Sequence, residues 1–117
     1  RDSVITGDKD LILQNSNIIE LTEHLFDKDA LIFSNVKSNN VILNEKKAGK
    51  HIRFTFGDSP FLAIWAKPAA PFVCIEPWYG VNDSYEKATD FSKKRGIQKL
   101  SSGKEFEFSW SAEFKED

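Results

Sequence analysis

Two apolar segments joined by a proline-bracketed loop decide how this sequence can fold. Residues 61–66 read Phe-Leu-Ala-Ile-Trp-Ala and residues 72–75 read Phe-Val-Cys-Ile, with Pro68 and Pro71 bounding the loop between them. Neither segment alternates apolar with polar side chains, so both faces of each strand are expected to be buried. The sequence therefore predicts two interior β-strands, the second of which ends at Glu76.

Further strands are predicted on both sides of this pair. From residue 106 to residue 114, apolar side chains alternate with polar ones, the period of two that sends one face of a strand to a core. A weaker alternation from residue 51 to residue 56 stops at a Gly-Asp-Ser-Pro turn, residues 57–60. Three shorter apolar runs are found at residues 11–13, 30–33 and 41–43. About seven strands at such spacings are typical of an all-β sandwich or barrel.

One short helix is predicted between these strands. Tyr85, Ala88 and Phe91 recur at helical spacing after Ser84, a residue type that caps helix N-termini. Three cations, residues 93–95, follow this pattern and suit the negative end of the helix dipole. We interpret them as a solvated helix end rather than as an anion site.

Composition excludes several classes of function. The 117 residues are 40% hydrophobic, carry a net charge of −2 and contain no linker or repeat, so residues 1–117 are expected to form a single unit. The balanced charge argues against nucleic acid as a partner. No apolar run approaches the roughly 20 residues of a membrane helix. The single cysteine cannot form an internal disulfide, and we expect a cytoplasmic protein.

Cofactor and metal chemistry are not expected either. The six glycines lie singly, so no phosphate-binding loop is present in the sequence. His24, His51 and Cys74 lack the spacing of a zinc site. Cys74 is interpreted as an inert core thiol, because it lies inside an apolar segment. We therefore predict no cofactor and no metal.

Glu76 is the residue most suited to catalysis. It follows an apolar strand and precedes Pro77, Trp78 and Tyr79. Burial against aromatic surface disfavours the ionised form of a carboxyl group, which suits a general acid or base near neutral pH. Aromatic rings also pack on the C–H faces of sugars, whose hydroxyls hydrogen-bond to carboxylates. The alternative is a strand-end glutamate exposed at the mouth of a loop.

Three other residues have both a structural and a functional interpretation. Asp29 enters an apolar strand and is either a turn former or a ligand for hydroxyl groups. Asp83 is interpreted as a turn or helix-cap residue. Trp65 is interpreted as core, since a strand apolar on both faces usually buries its tryptophan.

Four ordered blocks of the sequence resemble a known family and together cover most of the chain. They are residues 19–26 running into 29–33, residues 60–65, residues 71–80 with Asp83, and residues 96–100. On these blocks the chain resembles the C-terminal part of the aldose 1-epimerase (galactose mutarotase) family, in particular its LacX-like bacterial branch.

The resemblance implies an enzyme that interconverts the α and β anomers of a hexose. Its fold would be the large antiparallel β-sandwich of that family, the galactose mutarotase-like supersandwich. By this similarity, Glu76 takes the place of the general base that removes the proton from the anomeric C1 hydroxyl. Asp29 resembles the family's acidic residue that holds sugar hydroxyls, and Trp78 and Trp65 resemble walls of the sugar pocket.

One catalytic group of the family has no match in the sequence. The family's proton-donating histidine lies in a Gly-His-Pro motif, and neither His24 nor His51 stands in that context. We therefore expect a C-terminal fragment that is inactive alone. Its apolar residues 61–75 would be costly to expose, at roughly 25 cal/mol per Å². We expect them to pack against a missing N-terminal portion or against another copy of the chain.

Two other functions remain open from the sequence. A non-catalytic carbohydrate-binding module would use Trp65, Trp78 and Tyr79 as a stacking platform. A structural β-domain would bind no ligand. The residues also leave open which aldose is preferred and whether it is phosphorylated.

Overall fold

The computed structural model describes residues 16–83 and 90–116. Their strands are β1 (Leu31–Ser34), β2 (Asn40–Asn44), β3 (Lys50–Thr55), β4 (Phe61–Trp65), β5 (Cys74–Trp78) and β6 (Ser111–Glu116), with a 3₁₀ helix at Phe91–Lys93. All strand pairs are antiparallel, which confirms the all-β class for this part of the chain. The predicted strand at 11–13 and residues 84–89 of the predicted helix lie outside the described residues.

The first sheet has the strand order β1-β4-β5, with β4 in the middle. Phe61, Leu62 and Ala63 of β4 are only 5%, 2% and 0% exposed. A strand that is apolar on both faces fits a central position, because each face can then be covered. The interior strand predicted at residues 61–66 is therefore confirmed.

β5 differs from the prediction in both bounds and position. It spans Cys74–Trp78 rather than residues 72–75, so Glu76 lies within the strand and not at its end. It is also an outer strand of this sheet, and all its residues are half-buried. Pro77 fits the outer position, because a proline has no N–H to donate and is confined to sheet edges.

The second sheet has the order β2-β3-β6 and two chemically different faces. One face, called the apolar face below, carries Val41, Leu43, Ile52, Phe54, Ala112 and Phe114. On the other face Arg53 forms an ion pair with Glu113 at 3.7 Å, and Lys115 approaches the same carboxylate at 3.2 Å. Every side chain of the apolar face is at least partly exposed.

The C-terminal strand is shorter than the alternation predicts. β6 begins only at Ser111, and the expected burial of one face is also wrong, since Phe106, Phe108 and Trp110 are 46%, 57% and 58% exposed. β3 offers pairing partners only to residues 111–116. The length of the neighbouring strand therefore limits β6, whereas alternation reports only which side chains are apolar.

Two connections lie side by side and link the sheets. The backbone N–H of Phe56, after β3, donates to the carbonyl oxygen of Asn39, before β2, at 2.9 Å. Phe56 is only 3% exposed, so this junction contributes to the core. Gly57 has a φ of +60°, which confirms the turn predicted at residues 57–60. No helix within residues 16–83 and 90–116 is long and apolar enough to cross a membrane.

Candidate functional site

Glu76 lies in the middle of β5, half-buried on the surface of the first sheet. Its partner on β4 is Ala63, which has no exposed surface, and Ile32 of β1 continues the same row. The carboxylate is thus carried by a strand row that is otherwise apolar. Pro77 restricts the backbone of the residue before it, which limits the directions in which the Glu76 side chain can leave the strand.

Two tryptophans share the face of the sheet that carries Glu76. Every second residue of a strand points to the same side, and the register of β4 and β5 puts Trp65 and Trp78 on that side. The indole N–H of Trp78 donates a hydrogen bond to Oε2 of Glu76 at 3.0 Å. Trp65 is half-buried rather than core, and its ring meets Phe72 edge-on at a centroid distance of 6.0 Å.

Asp29 lies just before β1, which is the edge strand opposite β5 in the same sheet. The pairing of β1 with β4 puts this end of β1 beside the Trp65 end of β4. Oδ1 of Asp29 accepts a hydrogen bond from the N–H of Ala30 at 2.7 Å, as expected of a turn former. Its backbone φ is 113°, a value that residues other than glycine seldom adopt. The hydrogen bonds of the described residues do not join Asp29 to Glu76.

The segment after the 3₁₀ helix packs against this sheet. The guanidinium carbon of Arg95 lies 4.9 Å from the centroid of the Phe61 ring. Lys94 forms an ion pair with Asp83 at 2.7 Å, and the Lys94 side chain is only 28% exposed. The interpretation of residues 93–95 as a solvated end is therefore wrong for Lys94, whereas Arg95 contacts Phe61 and is still exposed. Their partners lie far away in sequence, so spacing alone does not reveal them.

Tyr79 forms a polar and aromatic group that the sequence did not single out as such. Its hydroxyl donates to Oδ1 of Asp58 at 2.6 Å. Its ring lies 5.1 Å from the Phe106 ring and 5.7 Å from the Phe108 ring, measured between centroids. The hydrogen bond to Asp58, followed by loss of hydration and by the Asp58 charge, raises the pKa of Tyr79 above its usual value.

Two open depressions on the surface do not include Glu76 among their lining residues. The larger, of about 850 Å³, is lined by residues 57–58 and 106–109. The smaller, of about 300 Å³, is lined by residues 35–39 and 56–60. An enclosed sugar pocket at Glu76 would therefore need walls other than these residues.

Both histidines lie outside the face that carries Glu76. His24 is exposed, in the turns before β1, and its Nδ1 lies 3.0 Å from Oδ2 of Asp27. His51 belongs to β3 of the second sheet. Neither has a described contact with Glu76, and the residues that the structure describes contain no group of three potential metal ligands.

Similarity to known proteins covers most of this chain. No protein-family model matches it. The plasmid and chromosomal forms of protein LacX from Lactococcus lactis subsp. lactis are each 33% identical to it over 94 residues, which make up 80% of this chain and 31% of each relative. The solved structure of the galactose mutarotase related enzyme from Lactobacillus acidophilus matches with a TM-score of 0.74 and 36% identity. The chain is LacX-like and aldose 1-epimerase-like.

The LacX-like chain shares the β-sandwich fold of that enzyme. The match covers 83% of this chain and 33% of the solved one, and it confirms the mutarotase-like sandwich expected from the sequence. The LacX-like chain spans about a third of the length of the LacX proteins, 31% of each.

Proposed function

We propose that this chain supplies the general base, Glu76, of an aldose 1-epimerase that interconverts the α and β anomers of a hexose. The observation that carries the proposal is the half-buried Glu76 carboxylate, hydrogen-bonded to Trp78 at 3.0 Å on the sheet face that also bears Trp65. Similarity to a galactose mutarotase related enzyme at 36% identity supports it.

The reaction needs one base and one acid. Glu76 takes the proton from the C1 hydroxyl while an acid gives a proton to the ring oxygen, and the bond between C1 and the ring oxygen breaks. The open-chain aldehyde then rotates about C1–C2. Reversal of both proton transfers closes the ring on the other face of C1, so that neither protons nor electrons are gained or lost.

Three residues are proposed to bind the sugar. Trp65 and Trp78 offer aromatic surface on the Glu76 face, against which the C–H groups of a hexose can pack. Asp29 holds a φ of 113°, which costs on the order of 1–3 kcal/mol and is characteristic of residues kept for function. Its Oδ1 accepts a hydrogen bond from the N–H of Ala30. Its second carboxylate oxygen is proposed to accept a hydrogen bond from a sugar hydroxyl.

The acid is proposed to come from sequence outside these 117 residues. Neither His24 nor His51 contacts the Glu76 face in the described structure. On this proposal the chain is the C-terminal portion of a larger β-sandwich and packs against an N-terminal portion or another copy. The only cysteine in the sequence, Cys74, is a free thiol, and we propose a cytoplasmic enzyme.

Polarimetry of freshly dissolved α-glucose and α-galactose tests the proposal. The chain, expressed with its native flanking sequence, is expected to accelerate the approach to the anomeric equilibrium in proportion to enzyme concentration. Rates equal to the uncatalysed reaction for both sugars would contradict it. Sugar binding without anomer exchange by the chain with its native flanking sequence would instead support a carbohydrate-binding module built on Trp65, Trp78 and Tyr79.

A further inference from the structure

The indole N–H of Trp78 donates a hydrogen bond to the carboxylate of Glu76. We propose that Trp78 is a positioning residue for the base, in addition to its proposed role as a wall for the sugar. This inference rests on the proposed function, because it assigns the Trp78 N–H a task in the same reaction.

The geometry follows from the strand itself. Glu76 and Trp78 are two residues apart on β5, so their side chains leave the same face. The distance of 3.0 Å from Nε1 to Oε2 is that of a well-formed hydrogen bond. Trp78 lies opposite Phe61, a ring that is only 5% exposed in the central strand. The indole donor is therefore carried by a residue paired with β4, the most deeply buried strand of the sheet.

The bond uses one carboxylate oxygen and leaves the other for chemistry. Within residues 16–83 and 90–116, the hydrogen bond to Oε2 is the only one described for the carboxylate of Glu76. Oε1 thus keeps its acceptor sites for the proton of the C1 hydroxyl. Proton abstraction depends on the direction of approach, and a carboxylate free to rotate would spend less time with an oxygen aimed at the substrate.

An indole suits this task better than a charged donor. Its N–H donates but cannot accept a proton, so it does not compete with Glu76 as a base. It is also neutral, whereas a lysine or arginine partner would stabilise the carboxylate strongly and make it a weaker base. The described ion pairs leave Glu76 without a cationic partner.

Nuclear magnetic resonance tests the hydrogen bond without requiring activity. The sequence contains three tryptophans, and the indole ¹H–¹⁵N signal of Trp78 is identified by its loss in Trp78→Phe. In the chain with its native flanking sequence, this signal is expected to move as Glu76 becomes protonated at acid pH. The movement should vanish in Glu76→Gln, whose amide oxygen can still accept the bond but does not titrate. A signal that responds to pH identically in both proteins would overturn the inference.

Kinetic constants distinguish a Trp78 that positions Glu76 from a Trp78 that only contacts the sugar. Trp78→Phe keeps an aromatic ring and removes the N–H, so we expect kcat to fall about tenfold with KM within about twofold. Trp110→Phe is the control, since Trp110 stacks on Phe54 of the second sheet at 5.6 Å and should leave both constants unchanged.

The outcomes distinguish this inference from the proposed function. A Trp78→Phe variant that remains folded by its amide spectrum and shows an unchanged kcat overturns the inference alone. A rise in KM with kcat unchanged also overturns it, because that is the effect expected if Trp78 only contacts the bound sugar. A protein that lacks anomer exchange while its Trp78 signal still titrates with Glu76 contradicts the proposed function.

Discussion

At the scale of single residues, two carboxylates of the first sheet are held in different ways. Glu76 is restrained by a side-chain donor, the indole of Trp78, while Asp29 is restrained by the backbone N–H of Ala30. The Asp29 contact is local and accompanies a φ of 113°. The Glu76 contact depends instead on an extended strand, because only alternate residues of a strand meet on one face.

Tyr79 provides a test of side-chain placement through its titration. A raised pKa means that the neutral phenol is favoured in the folded protein, chiefly by its hydrogen bond to Asp58. This contribution to stability is fully present below the ordinary tyrosine pKa of about 10 and is lost as pH rises through the raised pKa of Tyr79. In Asp58→Asn we expect the phenolate absorbance to develop at lower pH.

The Tyr79→Phe variant isolates that absorbance by difference, which removes the signal of Tyr85. A titration midpoint that is the same in Asp58→Asn as in the unmodified protein would show that Asp58 does not contact the phenol.

At the scale of elements, the packing of residues 94–96 on the first sheet depends on one glycine. Gly96 has a φ of +75°, and a Cβ built on it would lie 2.8 Å from the Phe61 ring and collide with the carbonyl oxygen of Tyr79. We expect Gly96→Ala to lower the free energy of unfolding by about 2–4 kcal/mol, through backbone strain and displacement of the buried ring. Chemical denaturation measures this.

Gly103→Ala is the matched control for Gly96→Ala. Its φ of +72° is nearly the same, but a Cβ there would meet nothing within 4 Å. The control is expected to cost only about 1 kcal/mol, the strain of a left-handed backbone. Equal losses for the two variants would mean that the close approach at Gly96 contributes nothing.

The strands that the sequence predicts best are those whose pattern and surroundings agree. Residues 61–66 are apolar on both faces and do form the central strand, because burial on both sides is available to them. Residues 106–110 alternate apolar with polar side chains but form no strand, since β3 ends before it could pair with them. The alternation of side chains shows which of them are apolar. The length of a strand also depends on its partner strand, which lies elsewhere in the sequence.

Only part of the candidate site could likewise be predicted from the sequence. Glu76 and Trp78 are neighbours in sequence, so their common location could be predicted, although their hydrogen bond could not. Arg95 meets Phe61, and Tyr79 meets Asp58, only because the fold brings distant segments together. Such pairs have no spacing that marks them in a single sequence.

At the scale of the whole molecule, the apolar face of the second sheet is where the proposed packing against an N-terminal portion or another copy can be tested. Phe114 is 74% exposed there, although a large aromatic side chain on a uniformly apolar face is typical of a sandwich interior. With native flanking sequence present, we expect Phe114→Ser to lower the free energy of unfolding by about 3–5 kcal/mol, as for a buried ring. Thermal or chemical denaturation measures it.

The control for this variant is Ile42→Ser on the opposite, polar face of the same sheet, where Ile42 is 45% exposed. A loss of less than about 1 kcal/mol is expected there. The 117 residues alone should also bind a hydrophobic dye or self-associate. A compact monomer that binds no dye, with Phe114→Ser no more costly than Ile42→Ser, would show that nothing covers the apolar face.

The central claim is that Glu76 is the base for anomer exchange. Its most direct test is the exchange rate between α- and β-glucose or galactose signals in magnetisation-transfer spectra, recorded with the unmodified protein, Glu76→Gln and Glu113→Gln. Glu113 is the control because its ion pairs with Arg53 and Lys115 lie on the other sheet. We predict that Glu76→Gln lowers the catalysed rate at least about 100-fold while Glu113→Gln leaves it unchanged. A Glu76→Gln rate equal to that of the unmodified protein would contradict the account.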